Sequence, residues 1–171
     1  YKNVINKAIE LNRAGTDCQL AIETSGHAAL QENYFLDDGA YLAAKIVIRA
    51  ARLKQEDKPI SSVLADVEDP ADEKEVRIPI RTEDFGAYGD QVLSDLKGWV
   101  KTQDGMTLTE PNYEGVRIDF GDGWCLLRKS LHDPILPMNM ASDEAGGCQA
   151  IEKVMKSFLK QYEKLELEGV L

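Results

Sequence analysis

The sequence predicts an α+β protein, a partial α/β unit followed by a small domain with a four-stranded antiparallel sheet and two helices. Three observations carry this. Apolar residues recur at helical spacing near both ends and at two places between. Strand-like alternation in the second half comes as closely spaced segments around a Gly121-Asp122-Gly123 turn, a hairpin pattern that needs no crossover helix. An acidic stretch separates the halves.

Val4, Ile5, Ala8 and Ile9 mark a first helix, with Gly15 as its stop. Cys18 to Ile22 is a short apolar run suited to a buried strand. Glu23 to His27 follows directly and is placed in a loop at a strand end, where ligands of sheet proteins containing helices gather. Ala40 to Leu53, rich in alanine and apolar on most sides, predicts a buried helix. Asp37 or Asp38 before it would cap free amides and complement the helix dipole. From Leu64 to Glu75 acids dominate around Pro70, as in a solvated linker or exposed turn.

A second unit starts at Val76. Val76 to Ile80 alternates as a strand, with Pro79 favouring an edge or an end. Tyr88, Val92, Leu96, Trp99 and Val100 form a helical stripe. Val116, Ile118 and Phe120 alternate with Arg117 and Asp119, and Trp124 to Arg128 returns as the partner strand. Pro134 to Met140 is extended, with Leu136, Met138 and Met140 on one face. A final amphipathic helix is expected through Ile151, Val154, Met155, Phe158, Leu159, Tyr162 and Leu165.

Composition bounds the function. The chain has 171 residues, 43% of them apolar, so one ordinary or two small domains can bury a core. The net charge of −10 disfavours a general nucleic-acid binder, while leaving room for a small phosphorylated ligand. No apolar run reaches the ~18 residues that suggest a membrane span. Tyr1-Lys2-Asn3-Val4 lacks the features of a signal peptide and an initiator Met, as expected of a processed or excised piece. Cys18, Cys125 and Cys148 show neither disulfide nor zinc spacing, so reduced thiols in a cytoplasmic protein are expected.

The two histidines of the chain end segments of the same form, a charged residue, Ser two places on, and His two places further. Glu23-Thr24-Ser25-Gly26-His27 leads with an acid, a group that with a hydroxyl and an imidazole can grip sugar hydroxyls. Arg128-Lys129-Ser130-Leu131-His132 leads with a guanidinium, whose planar fork matches phosphate oxygens in pairs. A ligand with a sugar at one end and a phosphate at the other needs both. Each segment also has an ordinary structural reading: a hydrogen-bonded histidine at a strand end, a surface ion pair for Arg128, a solvated Lys129. Asp37 and Asp38 lack a third ligand and read as helix caps rather than a metal pair. Ser25 lacks a strained elbow and is not read as a nucleophile.

The longer strings are more specific. Glu23 through Tyr41, with its Glu-x-Ser-Gly-His pattern and later Asp-Gly opening a helix, resembles the sugar-binding stretch of the α-D-phosphohexomutases, the phosphoglucomutase and phosphomannomutase family. Gly115 through Pro134 is similar to that family's phosphate-binding hairpin and loop, whose usual pattern is Arg-x-Ser-x-Thr-x-Pro. Arg128, Ser130 and Pro134 match, while His132 stands where the family often has Thr and can offer an imidazole N–H in place of a hydroxyl.

The resemblance implies a C-terminal fragment: the end of a third, sugar-binding domain (1–58), an acidic linker (59–77) and all of a fourth, phosphate-binding domain (78–171). It implies an isomerase, a phosphoprotein interconverting hexose 1-phosphate and hexose 6-phosphate through a phosphoserine and a bisphosphorylated sugar. The phosphoserine and magnesium loops of the family have no counterpart string here, so Mg2+ is expected on a domain absent from this sequence and the piece alone is expected to be inactive. By resemblance Glu23, Ser25 and His27 contact the sugar, and Arg128, Lys129, Ser130 and His132 the phosphate, with His27 a possible helper in proton transfer. The expected partners are a glucose or mannose phosphate and the remaining domains of the same polypeptide, with no nucleic acid and no membrane. A non-catalytic sugar-phosphate binding module is the alternative, and an inert structural piece a third reading.

Overall fold

The protein is described by a computed structural model covering residues 1–23, 25–130 and 132–171. It divides into two compact units, Tyr1–Val67 and Glu68–Leu171.

The first unit begins with helix α1 (Lys2–Arg13), followed by the antiparallel hairpin β1 (Leu20–Ile22) and β2 (Ala28–Leu30), then helix α2 (Gly39–Gln55) and a 3-10 turn at Ile60–Leu64. Its core is small: Ala8, Ala21 and Ala29, flanked by Val4, Ile5, Cys18 and Phe35. Asp38 caps α2 as expected, its carboxylate accepting from the Tyr41 N–H at 2.9 Å. Two expectations need correction. The strand begins at Leu20 rather than Cys18 and is not buried: only Ala21 is inside, and Ile22 is 49% exposed. Likewise α2 buries only Leu53, and Val47 is 67% exposed. Apolar composition predicted burial, but the described residues of this unit bring no second layer against that surface.

The second unit is built on a sheet of β3 (Asp72–Pro79), β4 (Thr107–Leu108), β5 (Val116–Asp119), β6 (Gly123–Leu127) and β7 (Ile135–Ser142). The order is β3-β7-β6-β5-β4, and every neighbouring pair is antiparallel. The sheet thus has five strands, not four. The extra member, β4, is two residues of edge paired to Ile118 and Asp119, too short for alternation to reveal. β3 also starts at Asp72, so part of the acidic run is an exposed edge strand.

Helices α3 (Phe85–Val100) and α4 (Gly147–Leu159) pack on one face of this sheet. The period-two alternation sends Val76, Ile78, Val116, Ile118, Cys125, Leu127, Leu136, Met138 and Met140 to that face. There they meet Val92, Leu96 and Val100 of α3 and Ile151, Met155, Phe158 and Leu159 of α4. Truncating one such residue, Leu96→Ala, is of the kind that costs ~2–5 kcal/mol. Burial pushes the Cys125 thiol up to about 12, and that of Cys148 upward as well.

The final helix stops at Leu159, earlier than its apolar stripe suggests. Tyr162 lies in the following turn, held by a 2.9 Å hydrogen bond from its hydroxyl to Asp95, and Leu165 bridges to Ile80. The stripe persists past the helix because this segment closes the same core as an extended strap, with Glu166 N–H donating to Pro79 O and Arg81 N–H to Lys164 O. Among the described residues no helix is long and apolar enough to cross a membrane.

Candidate functional site

Both charged-Ser-His segments lie where expected, in loops at strand ends; their spacers Thr24 and Leu131 fall outside the described residues. The first loop joins β1 to β2. It is closed by the Glu23 N–H donating to His27 O at 3.1 Å and the Gly26 N–H to Glu23 O at 3.0 Å. The Ser25 hydroxyl donates to Glu23 Oε1 at 2.6 Å, and Ser25 Oγ accepts from the His27 N–H at 3.5 Å. The Ser25 hydroxyl holds the Glu23 carboxyl below the usual carboxylate range. The Tyr1 ring stacks on His27 with centroids 4.8 Å apart.

His27 has a partner that the sequence reading left out. Its Nδ1 lies 2.7 Å from Asp37 Oδ2. That contact orients the ring, and where Nδ1–H donates to the Asp37 carboxylate, Nε2 is the nitrogen the contact leaves unused. Asp37 is brought there by its bridge to Ala29, alongside the Asp38 N–H donating to Ala28 O. One signal was available: Asp37 and Asp38 are adjacent, and a helix start uses one cap, so the other carboxylate had no assigned work. Ser25, Gly26, His27, Asp37 and Gly39 line an open hollow of about 350 Å³.

The second loop joins β6 to β7. Arg128 N–H donates to Pro137 O at 3.0 Å and Ser130 N–H to Ile135 O at 3.2 Å, continuing the strand pairing into the loop. Ser130 Oγ accepts from the N–H groups of His132 at 3.4 Å and Asp133 at 3.1 Å. This repeats the Ser-to-His turn of the first loop. A serine oxygen bonding the amide two residues on is a local device for fixing a loop, independent of the flanking charge.

The side chains of the second loop are deployed differently. Those of Arg128 and His132 make no hydrogen bond or ion pair with another described residue, although the Arg128 charge helps hold the Glu75 carboxyl low, after the larger effects of Arg77 and Asn139. Lys129 turns to α3, its ammonium 2.6 Å from Asp90 Oδ1 and 3.2 Å from Gly86 O. The backbone of Arg128 is buttressed by Gly115, whose φ is +70°. A Cβ there would lie 2.2 Å from Leu127 O and 2.7 Å from Arg128 Cβ, so only glycine permits this approach.

Among the described residues no group of three or more His, Cys, Asp or Glu is placed to hold a metal ion. A larger hollow of about 830 Å³, lined by Arg117, Trp124, Glu73 and Asp119 among others, includes none of the loop residues.

No family model matches the chain. It is 29% identical over 147 residues to a phosphomannomutase/phosphoglucomutase of Pseudomonas aeruginosa, which covers 85% of this chain and 29% of that protein. It is 27% identical over 149 residues to the enzyme of that name from Pseudomonas putida, covering 86% of this chain and 30% of the relative. A phosphoglucomutase of Neisseria gonorrhoeae is 27% identical over 146 residues, again 85% of this chain and 30% of the relative. The chain thus spans about 30% of the length of the curated relatives it matches. In fold it is similar to a solved phosphoglucomutase/phosphomannomutase family protein of Burkholderia thailandensis, with a TM-score of 0.67, 22% identity, and coverage of 91% of this chain and 30% of that one. The relatives found bear the names phosphomannomutase/phosphoglucomutase and phosphoglucomutase, the same family that the two loop strings resemble.

Proposed function

We propose that this chain is the substrate-binding, C-terminal part of a phosphohexomutase acting on glucose or mannose phosphates. In this reading the first loop receives sugar hydroxyls. Glu23 accepts from adjacent ring hydroxyls, Ser25 keeps its carboxylate ionised and oriented, and His27 presents Nε2 to a hydroxyl with Asp37 fixing its ring. The second loop receives the phosphate. Arg128 meets two of its oxygens with a charge-assisted pair, and Ser130 and His132 add donors. Energy from holding the non-reacting phosphate serves to place the reacting end.

The carrying observation is the repeated Ser-to-His turn, presenting an engaged acid in one loop and a guanidinium without a described partner in the other. The three cysteines are free, as suits the reducing cytoplasm proposed here. Magnesium and a phosphoserine belong to the reaction proposed for the whole protein. The described residues do not fit a magnesium site, lacking a cluster of ligating groups.

The test is calorimetric titration of the 171-residue chain with glucose 6-phosphate, beside Arg128→Ala. Weak binding abolished by the substitution is expected. Binding unchanged by it would defeat the assignment. A coupled assay with glucose 1-phosphate should give no turnover for this chain alone, and sustained turnover would overturn the view that catalysis needs further domains.

A further inference from the structure

We infer that Lys129 is a positioning residue that docks the 128–134 loop onto the start of α3 and leaves Arg128 as the loop cation without an ion pair among the described residues; this rests on the phosphate-binding reading of that loop. Adjacent cations at a strand end invite the view that both meet the same anion. The strand geometry argues otherwise. Side chains alternate across a sheet, and Leu127 points into the core beneath the helices. Lys129, two residues on, emerges on that same helical side, and Arg128 on the other.

The surface of α3 is shaped for the lysine. Gly89 is buried, and a Cβ there would stand 3.0 Å from Lys129 Cδ and 3.3 Å from its Cγ. The absent side chain is a notch in which the aliphatic stem lies. At the end of the stem the ammonium reaches the Gly86 carbonyl and the Asp90 carboxylate. A cation beside the first turns of a helix runs against the helix dipole. Asp90 offsets this, so the arrangement depends on the pair. Lys129 is only 24% exposed, whereas Asp90 is 65% exposed. The lysine is therefore tucked against the helix, and an anion approaching the loop would have to pull it from two partners. Its contribution is to hold the backbone that carries Arg128 and Ser130.

The experiment uses the full chain with Lys129→Met, which keeps the stem, with Asp90→Ala, and with both together. The readouts are amide hydrogen exchange across the loop, including the Ser130 N–H bonded to Ile135 O, and affinity for glucose 6-phosphate. Both single variants should speed exchange in the loop and weaken binding by about two- to fivefold, the size set by one partly exposed charge pair. The double variant should be no worse than either single one.

The decisive sign belongs to Asp90→Ala. It removes a negative charge near the loop, so if Lys129 met the phosphate directly, binding would tighten. Tighter binding overturns the inference, and so does unaltered exchange, or altered exchange with unaltered affinity. Should the unsubstituted chain fail to bind, or Arg128→Ala change nothing, the phosphate-binding reading falls. Exchange then decides the docking of the loop by itself.

Discussion

The loops at 23–27 and 128–134 share a serine-to-histidine turn and differ in how their charges are spent. In the first, the acid, the hydroxyl and the imidazole are engaged locally: Glu23 with Ser25, His27 with Asp37. In the second, the serine does the same backbone work, yet the side chains of Arg128 and His132 make no hydrogen bond or ion pair with another described residue while Lys129 is drawn to α3. The difference teaches that the Ser-x-His spacing gives the same backbone turn whichever charge precedes it, so the contrast between the loops lies in the leading residue. A mutually bonded set offers a neutral polar ligand several weak, orientable contacts. A guanidinium without a local partner offers an anion a strong one.

The largest expected effect is that of Arg128→Ala. Losing a charge-assisted bidentate pair should cost ~2–4 kcal/mol in kcat/KM of an intact enzyme containing this chain, read by steady-state kinetics. A loss below a factor of about three would erase the contrast between the loops. Next is Gly115→Ala. Its methyl group would press on Leu127 O and Arg128 at a positive φ, which should destabilise the second unit by ~1–3 kcal/mol in chemical unfolding.

Ser130→Ala removes the acceptor of two loop amides and should cost about 0.5–1.5 kcal/mol of hexose phosphate affinity, measured by calorimetry. The smallest effect is a titration. Glu23 sits below its ordinary range, so its interaction with Ser25 is present above the ordinary carboxyl pKa of 4.5 and is lost as pH falls through the lowered value. In Ser25→Ala the Glu23 carboxyl should titrate closer to 4.5, as followed by carboxyl carbon NMR. An unchanged midpoint would mean that the hydroxyl is not what holds the acid down.

Much of this was legible in the residues, for identifiable reasons. The second unit's strands alternate cleanly because one face is buried under helices, so Ile118, Cys125, Leu127 and Met138 appear where period two puts them. The loops were legible because each follows directly on a strand. The strand β4 was not, since two residues carry no period. The exposure of α2 was hidden too, because apolar content reports what a surface could bury and not what stands against it. Asp37 was overlooked because its partnership with His27 comes from folding the chain back through the Ala29 bridge, which no local spacing encodes. Lys129 illustrates the same limit: its environment is set by a glycine notch on a helix some forty positions away in the chain.

Burial of Cys125 in the sheet and of Cys148 in the first turn of α4 gives the molecule its own stopwatch. Thiol reagents attack thiolate, and an inaccessible thiol with a pKa raised to about 12, as at Cys125, stays silent in the native state. Cys18, half-buried in the first unit, is the most accessible of the three. Alkylation followed by mass spectrometry should therefore record one fast event and two slow ones, and the slow pair times how often the sheet of the second unit opens.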